Sequence, residues 1–386
     1  MFSSSIFLSV SFSKILKISG SFTSKEVSGS GISKEQLSEK GEPCILYGEL
    51  YTKYKSEVIF DIISKTDIDN TKLVKSQAND VIIPSSGETA EDIATARCVL
   101  KKNILLSGDL NIIRLHKHNG SFMSYQLNAK RKYDIAKVAQ GVSVVHLYGE
   151  HLKGVNTYNP CIEEQKKIAR LLSLLDERIA TQNKIIEDLK KLKSAIIEKL
   201  YSKIQGKEYS YGQLFEVINE RNKQMEYSNI LAASQEKGMV NRDDLNLDIQ
   251  FERSNIDIYK IVRKGDYVIH LRSFQGGFAF SNMTGVCSPA YTILRPSTLL
   301  EYGYLSYYFK SYGFIKSLII VTYGIRDGRS ISVEEWLNLK ISIPSKEHQL
   351  HILKVLRSFD LKIENEETYA SCLSNQKQYL LRQMFI

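Results

Sequence analysis

The sequence predicts an α+β fold made of two repeated globular domains, each followed by a long helix, with the helices pairing as an antiparallel two-stranded coiled coil. Three observations predict it. Residues 159–203 carry a coiled-coil heptad pattern, the pattern recurs after a shift of 184 residues, and short β-rich runs mix with helices before each copy. Heptad spacing is typical of paired helices, and an internal repeat at one fixed period indicates a duplicated unit.

The first long helix has one narrow apolar stripe. Its predicted seam consists of eight aliphatic positions: Ile168, Leu172, Leu175, Ile179, Ile186, Leu189, Ile196 and Leu200. The 4-3 spacing of these residues is that of a left-handed coiled coil. Pro160 precedes the helix, and Glu163 and Glu164 favour the positive end of its dipole. No glycine or proline follows until Gly206. Such a helix needs a partner.

The second copy supplies that partner. Pro344 falls on Pro160 and Gln349 on Gln165 with no internal gap. The predicted seam of the second helix is Ile352, Leu356, Phe359, Ile363, Leu373 and Leu380. Both seams turn polar at the middle, at Gln182 and Glu366. We therefore expect four segments, namely 1–158 and 206–343 as globular domains and 159–205 and 344–386 as helices.

Composition fits this plan. The chain has 386 residues, of which 43% are hydrophobic and 25% charged, which suits two domains. A net charge of +9 favours a polyanionic partner, although charge alone is a weak signal. Five cysteines lie far apart without a Cys-x-x-Cys motif, which indicates a reducing cytoplasm and no structural zinc. No stretch reaches the ~18 apolar residues of a membrane span, and residues 1–13 lack the leading basic residues of a secretory signal.

The first domain mixes predicted strands and helices without regular alternation. One helix is expected at Tyr125–Ala139. Strands are expected at Glu57–Ile63, Asp80–Pro84, Cys98–Leu106 and Leu110–Leu115, separated by turn residues. The second domain repeats the plan: Lys264–Ile269 echoes Ala78–Ile83, and a helix is expected at Leu305–Tyr312. The loops differ, with Ser85–Thr89 in one copy and Arg272–Gly277 in the other. This difference suggests one scaffold that presents two surfaces.

The duplicated helix motif resembles the specificity subunits of type I restriction–modification enzymes. The residues concerned are Pro160–Ala169 and Leu175–Ile179, with a degraded second copy at Pro344–Gln349 and Phe359–Ile363. The resemblance covers nearly the whole chain except its start, Met1–Val10. It implies a cytoplasmic, non-catalytic subunit without a cofactor, in which each domain reads one half of a split target on double-stranded DNA. It also implies that the helices space the domains and dock DNA adenine methyltransferase subunits, and that a restriction–translocation subunit joins them.

Catalytic motifs of the expected kinds are missing from the sequence. It has no G-x-x-x-x-G-K-[ST] phosphate loop, and Asn159-Pro160-Cys161-Ile162 is a poor match to the N/D-P-P-[YF] run of amino-methyltransferases. Neither His116 with His118 nor His348 with His351 has a third ligand spaced for a metal. Asp80 and Asp266 recur in both domains. They could be acids of a nuclease, but a turn-entry role explains the recurrence more simply.

Candidate DNA contacts are basic, amide or hydroxyl residues in loops and charged clusters. In the first domain they are Lys101, Lys102, Lys130, Arg131 and Lys132, which are expected to contact phosphates. In the second they are Arg272, Ser273, Gln275, Arg326 and Arg329, because arginine and glutamine can make bidentate contacts with guanine and adenine. For any one of them a solvated charged face is the alternative.

Helix length and two alternative functions complete the prediction. A helix of ~40 residues is ~60 Å long at ~1.5 Å per residue, so antiparallel pairing would place the domains at opposite ends. The alternatives are a DNA-modifying enzyme with an unrecognised active site and a coiled-coil scaffold without DNA affinity. Turnover by the isolated chain would favour the first, and the absence of salt-sensitive DNA binding would favour the second.

Overall fold

The chain forms two compact units that each combine a globular part with segments of both long helices. The computed structural model describes residues 15–17, 22–27, 31–69, 71–141, 143–234, 237–245, 253–270, 277–323 and 330–385. Unit 1 comprises Met1–Asn183 and Thr368–Ile386, and unit 2 comprises Lys184–Glu367. The end of the chain therefore belongs to the first unit, and the central helix contributes to both.

Unit 1 contains thirteen described strands. They are β1 Ile15–Lys17, β2 Phe22–Val27, β3 Leu37–Ile45, β4 Val58–Ile59, β5 Ser64–Thr66, β6 Val74–Lys75, β7 Asp80–Pro84, β8 Ser86–Gly87, β9 Arg97–Val99, β10 Leu105–Leu106, β11 Leu110–Leu115, β12 Val145–His146 and β13 Asn156–Tyr158. The main sheet has the order β2-β11-β7-β9-β4, and a smaller one has the order β5-β3-β10-β6. Strand β7 is buried along its whole length, as expected for the centre of a sheet.

Helices pack around these sheets. They are α1 Glu49–Thr52, α2 Ala90–Ile93, α3 Gly120–Asn128, α4 Arg131–Val138, α5 Gly149–Lys153 and the long α6 Ile162–Ser202. Phe122 and Tyr125 on α3 pack in one cluster with Leu172 of α6 and with Leu381 and Phe385 near the end of the chain. Because these side chains are almost fully buried, the last turns of the chain complete the core of unit 1.

Unit 2 repeats the plan with fewer strands in its main sheet. Its strands are β14 Lys207–Ser210, β15 Phe215–Ile218, β16 Leu231–Ser234, β17 Gly238–Asn241, β18 Lys260–Val262, β19 Tyr267–Ile269, β20 Phe278–Phe280, β21 Gly285–Cys287, β22 Thr292–Pro296, β23 Thr322–Tyr323, β24 Ser330–Ile331 and β25 Lys340–Ile343. Its helices are α7 Tyr211–Leu214, α8 Tyr304–Tyr308, α9 Tyr312–Ser317, α10 Val333–Asn338 and the long α11 Lys346–Met384. The main sheet, β15-β22-β19-β20, is antiparallel throughout.

Aromatic side chains fill the core of unit 2. The rings of Tyr211 and Trp336 stack with centroids 4.3 Å apart, and the rings of Phe278, Phe309 and Phe314 all contact one another. Each buried aromatic side chain removes a large apolar area from water, so a small number of them can stabilise a domain with short strands.

The two long helices run antiparallel where they meet inside each unit. In unit 1 Lys377 pairs with Asp176, while Tyr369 lies under Arg178. In unit 2 Glu367 pairs with Lys190, and Asp360 with Lys193. In both units the residue numbers along α6 rise as those of their contact partners on α11 fall, so the two helices run in opposite directions. The predicted α+β fold, with two domain-and-helix copies and antiparallel helices, is confirmed.

Several predicted elements have different bounds. The predicted helix Tyr125–Ala139 is two helices, α3 and α4. Asn119 caps α3 by accepting a hydrogen bond from the Phe122 amide, so that the helix starts earlier, and the chain leaves it at Ala129 with a ψ of −126°. The predicted strand Cys98–Leu106 is interrupted, because Asn103 has a φ of +65°.

Two further predictions were too long. Of Glu57–Ile63, only Val58–Ile59 is a strand. The predicted helix Leu305–Tyr312 ends at Tyr308, and a separate helix begins at Tyr312, where the hydroxyl of Ser311 accepts a hydrogen bond from the Phe314 amide. A local cap overrides the apolar periodicity in each unit.

Candidate nucleic-acid interface

A buried glutamine fastens the start of each long helix to the globular part of its own unit. In unit 1 the side chain of Gln165 accepts a hydrogen bond from the Asn119 amide at 2.9 Å and donates one to the Pro160 carbonyl at 2.8 Å. In unit 2 Gln349 accepts from the Glu301 amide at 2.8 Å and donates to the Pro344 carbonyl at 3.1 Å. Both glutamines are at most 1% exposed. The repeated glutamine in the sequence therefore makes the same junction twice.

A lysine, an aspartate and a tyrosine form a second junction in each unit. In unit 1 Lys377 lies 2.5 Å from Asp176 and 2.5 Å from Glu57, and the Tyr125 hydroxyl donates to Asp176 at 2.6 Å. Burial and the neighbouring Asp176 carboxylate raise the pKa of Tyr125, so its hydroxyl remains a donor.

The same groups recur in unit 2. Lys193 pairs with Asp360, and the Tyr307 hydroxyl donates to Asp360 at 2.6 Å. Lys193 and Asp360 are each 184 residues from Lys377 and Asp176. These residues support the scaffold on which the two globular parts are built.

The recurring aspartates also have a structural role. Asp80 accepts a hydrogen bond from the Gln77 amide at 2.8 Å and pairs with Arg114 on β11. Asp266 accepts from the Arg263 amide at 2.8 Å and pairs with Arg295 on β22. Burial raises the pKa of Asp80, and the turn amide and Arg114 oppose that shift. These are the turn-entry aspartates that the sequence predicted.

Several other titratable side chains are hydrogen-bonded or buried. His118 Nδ1 lies 3.0 Å from Gln165 Nε2, and burial lowers the pKa of this histidine. Burial raises the pKa of Cys44 to about 11 and those of Cys98 and Cys287 to about 12. Among the described residues no group of three or more His, Cys, Asp or Glu side chains could hold a metal ion, and no helix is long and apolar enough to cross a membrane.

The sheet of unit 1 has two ends, and the predicted lysines lie at different ones. Lys101 and Lys102 are exposed next to the turn that precedes β7, because the Lys101 carbonyl accepts a hydrogen bond from the Ser76 hydroxyl at 2.8 Å. Lys130, Arg131 and Lys132 follow α3, whose last residue contacts the Ala96 carbonyl near the far end of β7. Five residues of β7 separate the two ends by ~17 Å at ~3.3 Å per residue. The structure does not bring the two lysine groups together.

The group on α4 has the better surroundings for phosphate contacts. Lys130 is exposed and Lys132 half-buried, while Arg131 pairs with Asp134 at 2.8 Å and lies over the Tyr158 ring. Two residues that the sequence analysis missed extend the group: Tyr133, which is 67% exposed, and Lys137, whose ammonium lies 4.3 Å from the centre of the Tyr133 ring. Their i, i+4 spacing on one helix face was the available signal.

The remaining predicted contacts, Arg272, Ser273, Gln275, Arg326 and Arg329, lie outside the described residues. Several predicted seam residues pack against the globular parts: Ile168, Leu172 and Leu380 in the core of unit 1, and Ile196, Leu200, Ile352 and Leu356 in the core of unit 2. Leu172, Ile186, Ile352, Leu356, Ile363 and Leu373 are buried, and Ile168, Leu175, Ile179, Leu189, Ile196, Leu200, Phe359 and Leu380 are half-buried.

Comparison with known proteins connects this scaffold to one family. Residues 14–191 match the model of the type I restriction modification DNA specificity domain. The type I restriction enzyme MjaVIII specificity subunit of Methanocaldococcus jannaschii is 29% identical over 161 residues, which are 41% of this chain and 35% of that protein. The putative type I restriction enzyme MjaX specificity subunit of the same organism is 24% identical over 289 residues, which are 68% of this chain and 67% of that one.

Two solved structures share the fold over almost the whole chain. The S subunit of a type I restriction–modification system from M. genitalium has a TM-score of 0.57 at 17% identity and covers 97% of this chain and 96% of its own. A chain from a study of complex assembly and conformational transition of the type I R-M system has a TM-score of 0.57 at 14% identity and covers 97% and 99%. Residues 14–191 are therefore similar to the type I restriction modification DNA specificity domain, and the chain shares its fold with the two solved structures.

Proposed function

We propose that this protein is the sequence-reading DNA-binding subunit of a type I restriction–modification complex, and that residues 1–158 and 206–343 each read one half of a split target. The observation that supports this best is the duplicated junction. The same glutamine, lysine, aspartate and tyrosine connect two globular parts of different sequence to the long helices. A scaffold kept the same beneath two different surfaces suits a protein that reads two different half-sites.

The long helices, in segments 159–205 and 344–386, set the gap between the half-sites and dock the adenine methyltransferase subunits. Support comes from α6, which runs without interruption over 41 residues. At ~1.5 Å per residue this is ~60 Å, slightly less than two turns of B-DNA at ~34–36 Å each. Methyl transfer and cleavage belong to the methyltransferase and restriction–translocation subunits, and this chain supplies recognition.

The test is methylation mapping of the assembled complex. The chain is produced together with its methyltransferase subunit in a host without adenine methylation, and modified adenines are mapped across the genome. A split motif with a fixed gap is expected. The proposal is overturned if the purified chain alone methylates or cuts DNA, or if the complex neither modifies nor binds DNA.

Exchange of one domain tests whether the readers are independent. Residues 206–343 are replaced by the matching domain of another specificity subunit, and the methylated motif is mapped again. One half-site should change while the other and the gap stay the same. Alteration of both half-sites would contradict independent reading, and the matched control is the reciprocal exchange of residues 1–158.

A further inference from the structure

A short hairpin follows α4 in unit 1 and is closed by one pair of backbone hydrogen bonds. The Gln140 amide donates to the His146 carbonyl at 2.9 Å, and the His146 amide donates to the Gln140 carbonyl at 2.7 Å. Gly141 has a φ of +130°, and a Cβ there would lie 2.0 Å from the Val144 carbonyl oxygen. The turn therefore requires glycine.

The base of the hairpin is anchored to the end of the main sheet. Val145 and His146 pair with Gly87 and Ser86 of β8. The next residue, Leu147, donates its amide to the Ser85 carbonyl at 2.9 Å and accepts a hydrogen bond from the fully buried Asn111 side chain at 2.8 Å. These bonds fix the backbone at the base of the hairpin before any ligand binds, which lowers the entropy cost of binding.

The described side chains of the hairpin, together with that of Leu147 just after it, are either buried or exposed. Val145 and Leu147 are buried against the core of unit 1. Gln140, Ser143 and His146 are exposed and present an amide, a hydroxyl and an imidazole to solvent. These groups can donate and accept hydrogen bonds, as reading a base edge requires.

The basic face of α4 lies at the same end of the sheet. A groove of about 740 Å³ separates α2 from α4 and is lined in part by Thr89, Glu91, Lys132, Tyr133 and Lys137. The charge here is mixed, because Glu88 and Glu91 are also exposed. Lysines on α4 can contact phosphates, and the neutral groups of the hairpin can read bases, so the two kinds of contact fall on separate elements.

Unit 2 has a pair of short strands at the corresponding place in its order of elements. Strands β23 and β24 pair through Thr322 with Ile331 and Tyr323 with Ser330, and they flank residues 324–329, which lie outside the described residues. Each strand pair follows the last but one short α-helix of its unit, α4 or α9, and precedes the last one, α5 or α10. The sequences differ, QGVSVVH against TYGIRDGRSI. Elements at one position with different sequences suit readers of different half-sites.

We propose that the Gln140–His146 hairpin is the base-reading element of unit 1, an inference that rests on the DNA-reading function proposed above. Gln140, Ser143 and His146 contact base edges, and Lys130, Lys132 and Lys137 contact the flanking phosphates. The major groove, ~12 Å wide, admits a two-stranded ribbon, and a glutamine amide pairs in a bidentate manner with adenine. The ligand is thus the major groove of one half-site.

The experiment uses the chain assembled with its methyltransferase subunit and a library of duplexes that vary at each position of both half-sites. Gln140→Ala, Ser143→Ala and His146→Ala are compared with the unaltered complex. Each active variant should lose about 5- to 150-fold of the preference for the correct base at one or two positions of a single half-site. The other half-site and the gap should stay unchanged.

Gln77→Ala is the matched control. It removes the same exposed amide from the opposite end of β7, and all base preferences should persist. The Gln140→Glu variant distinguishes a role in base reading from a loss of folding, because an unfolded variant would not acquire a new base preference. A carboxylate accepts a hydrogen bond from the cytosine amino group, so preference at the affected position should move towards cytosine.

The outcomes separate the two proposals. If the unaltered complex has a split target and all hairpin variants keep every base preference, or lose activity on all sequences alike, the hairpin does not read bases and the proposed function stands. If the unaltered complex recognises no split target, the proposed function itself fails.

Discussion

The ammonium of Lys377 lies 2.5 Å from the carboxylate of Asp176, so the C-terminal helix places a buried cation in unit 1. The side chains of Lys377, Asp176 and Glu57 are each at most 10% exposed. The matching lysine of unit 2, Lys193, pairs with an aspartate whose side chain is 47% exposed. The same junction is therefore less exposed to solvent in unit 1. Its loss should lower the free energy of unfolding more in unit 1 than in unit 2.

Replacement of Lys377 by methionine should destabilise unit 1 strongly. It leaves two carboxylates buried without their cation, which costs about 3–5 kcal/mol, whereas Lys193→Met should cost about 1 kcal/mol or less, because solvent screens that pair. Hydrogen exchange in urea, followed separately for the amides of each unit, measures the free energy of unfolding that each variant loses. Equal losses in the two variants would contradict the difference in burial.

The two glutamine junctions should respond alike to substitution. Gln165→Leu and Gln349→Leu each leave a helix-start carbonyl and one loop amide without their side-chain partner, at about 1–3 kcal/mol for each buried group. Amide exchange should accelerate at Asn119 in the first variant and at Glu301 in the second. Unchanged exchange at both amides would show that the glutamines do not hold the loops, and the exposed Gln378 provides the control substitution.

The salt dependence of DNA binding should identify the lysines that contact phosphates. A triple Lys130→Ala, Lys132→Ala and Lys137→Ala variant should reduce the slope of log K against log salt by up to about 3, because each lost contact removes ~0.9. Lys101→Ala with Lys102→Ala, at the other end of the sheet, should leave the slope unchanged. A larger effect from the second variant would place the DNA at the start of β7.

Thiol labelling tests the burial of the cysteines. Cys161 and Cys372 are exposed, whereas burial raises the pKa of Cys44 to about 11 and those of Cys98 and Cys287 to about 12. Alkylation of the native protein at pH 8 should modify Cys161 and Cys372 and spare the other three, because the thiolate is the reactive form. Peptide mapping identifies the modified cysteines. Fast modification of Cys98 would contradict its burial and would show that its strand opens in the native protein.

Lengthening both helices tests whether they set the gap between half-sites. One heptad inserted beside Gln182 and one beside Glu366 keep the stripe in register and lengthen each helix by ~10 Å, or about three base pairs. The half-site sequences should stay the same, while the gap grows by one to three base pairs because DNA also twists over that distance. An active variant with an unchanged gap would contradict a spacing role for the helices.

The sequence by itself determined the repeat, the long helices and the fold class. Heptad periodicity can be recognised from the local sequence. Because the pattern continues over many helical turns, no single tertiary contact overrides it. The helices α6 and α11 therefore begin and end close to their predicted bounds. The strands Asp80–Pro84 and Leu110–Leu115 were also readable, because each is an apolar run bounded by turn residues.

Only the tertiary structure decided which distant residues meet. Nothing near Lys377 in the sequence indicates that it is buried with Glu57, because that contact depends on the antiparallel register of two helices and on the docking of α3. The hairpin at Gln140 was missed for a similar reason. Its backbone is held by Ser86 and Asn111, which lie far away in the sequence, and a strand of two residues carries too little local pattern to be predicted. Local periodicity determined the elements, and long-range hydrogen bonds and ion pairs determined which side chains face solvent together.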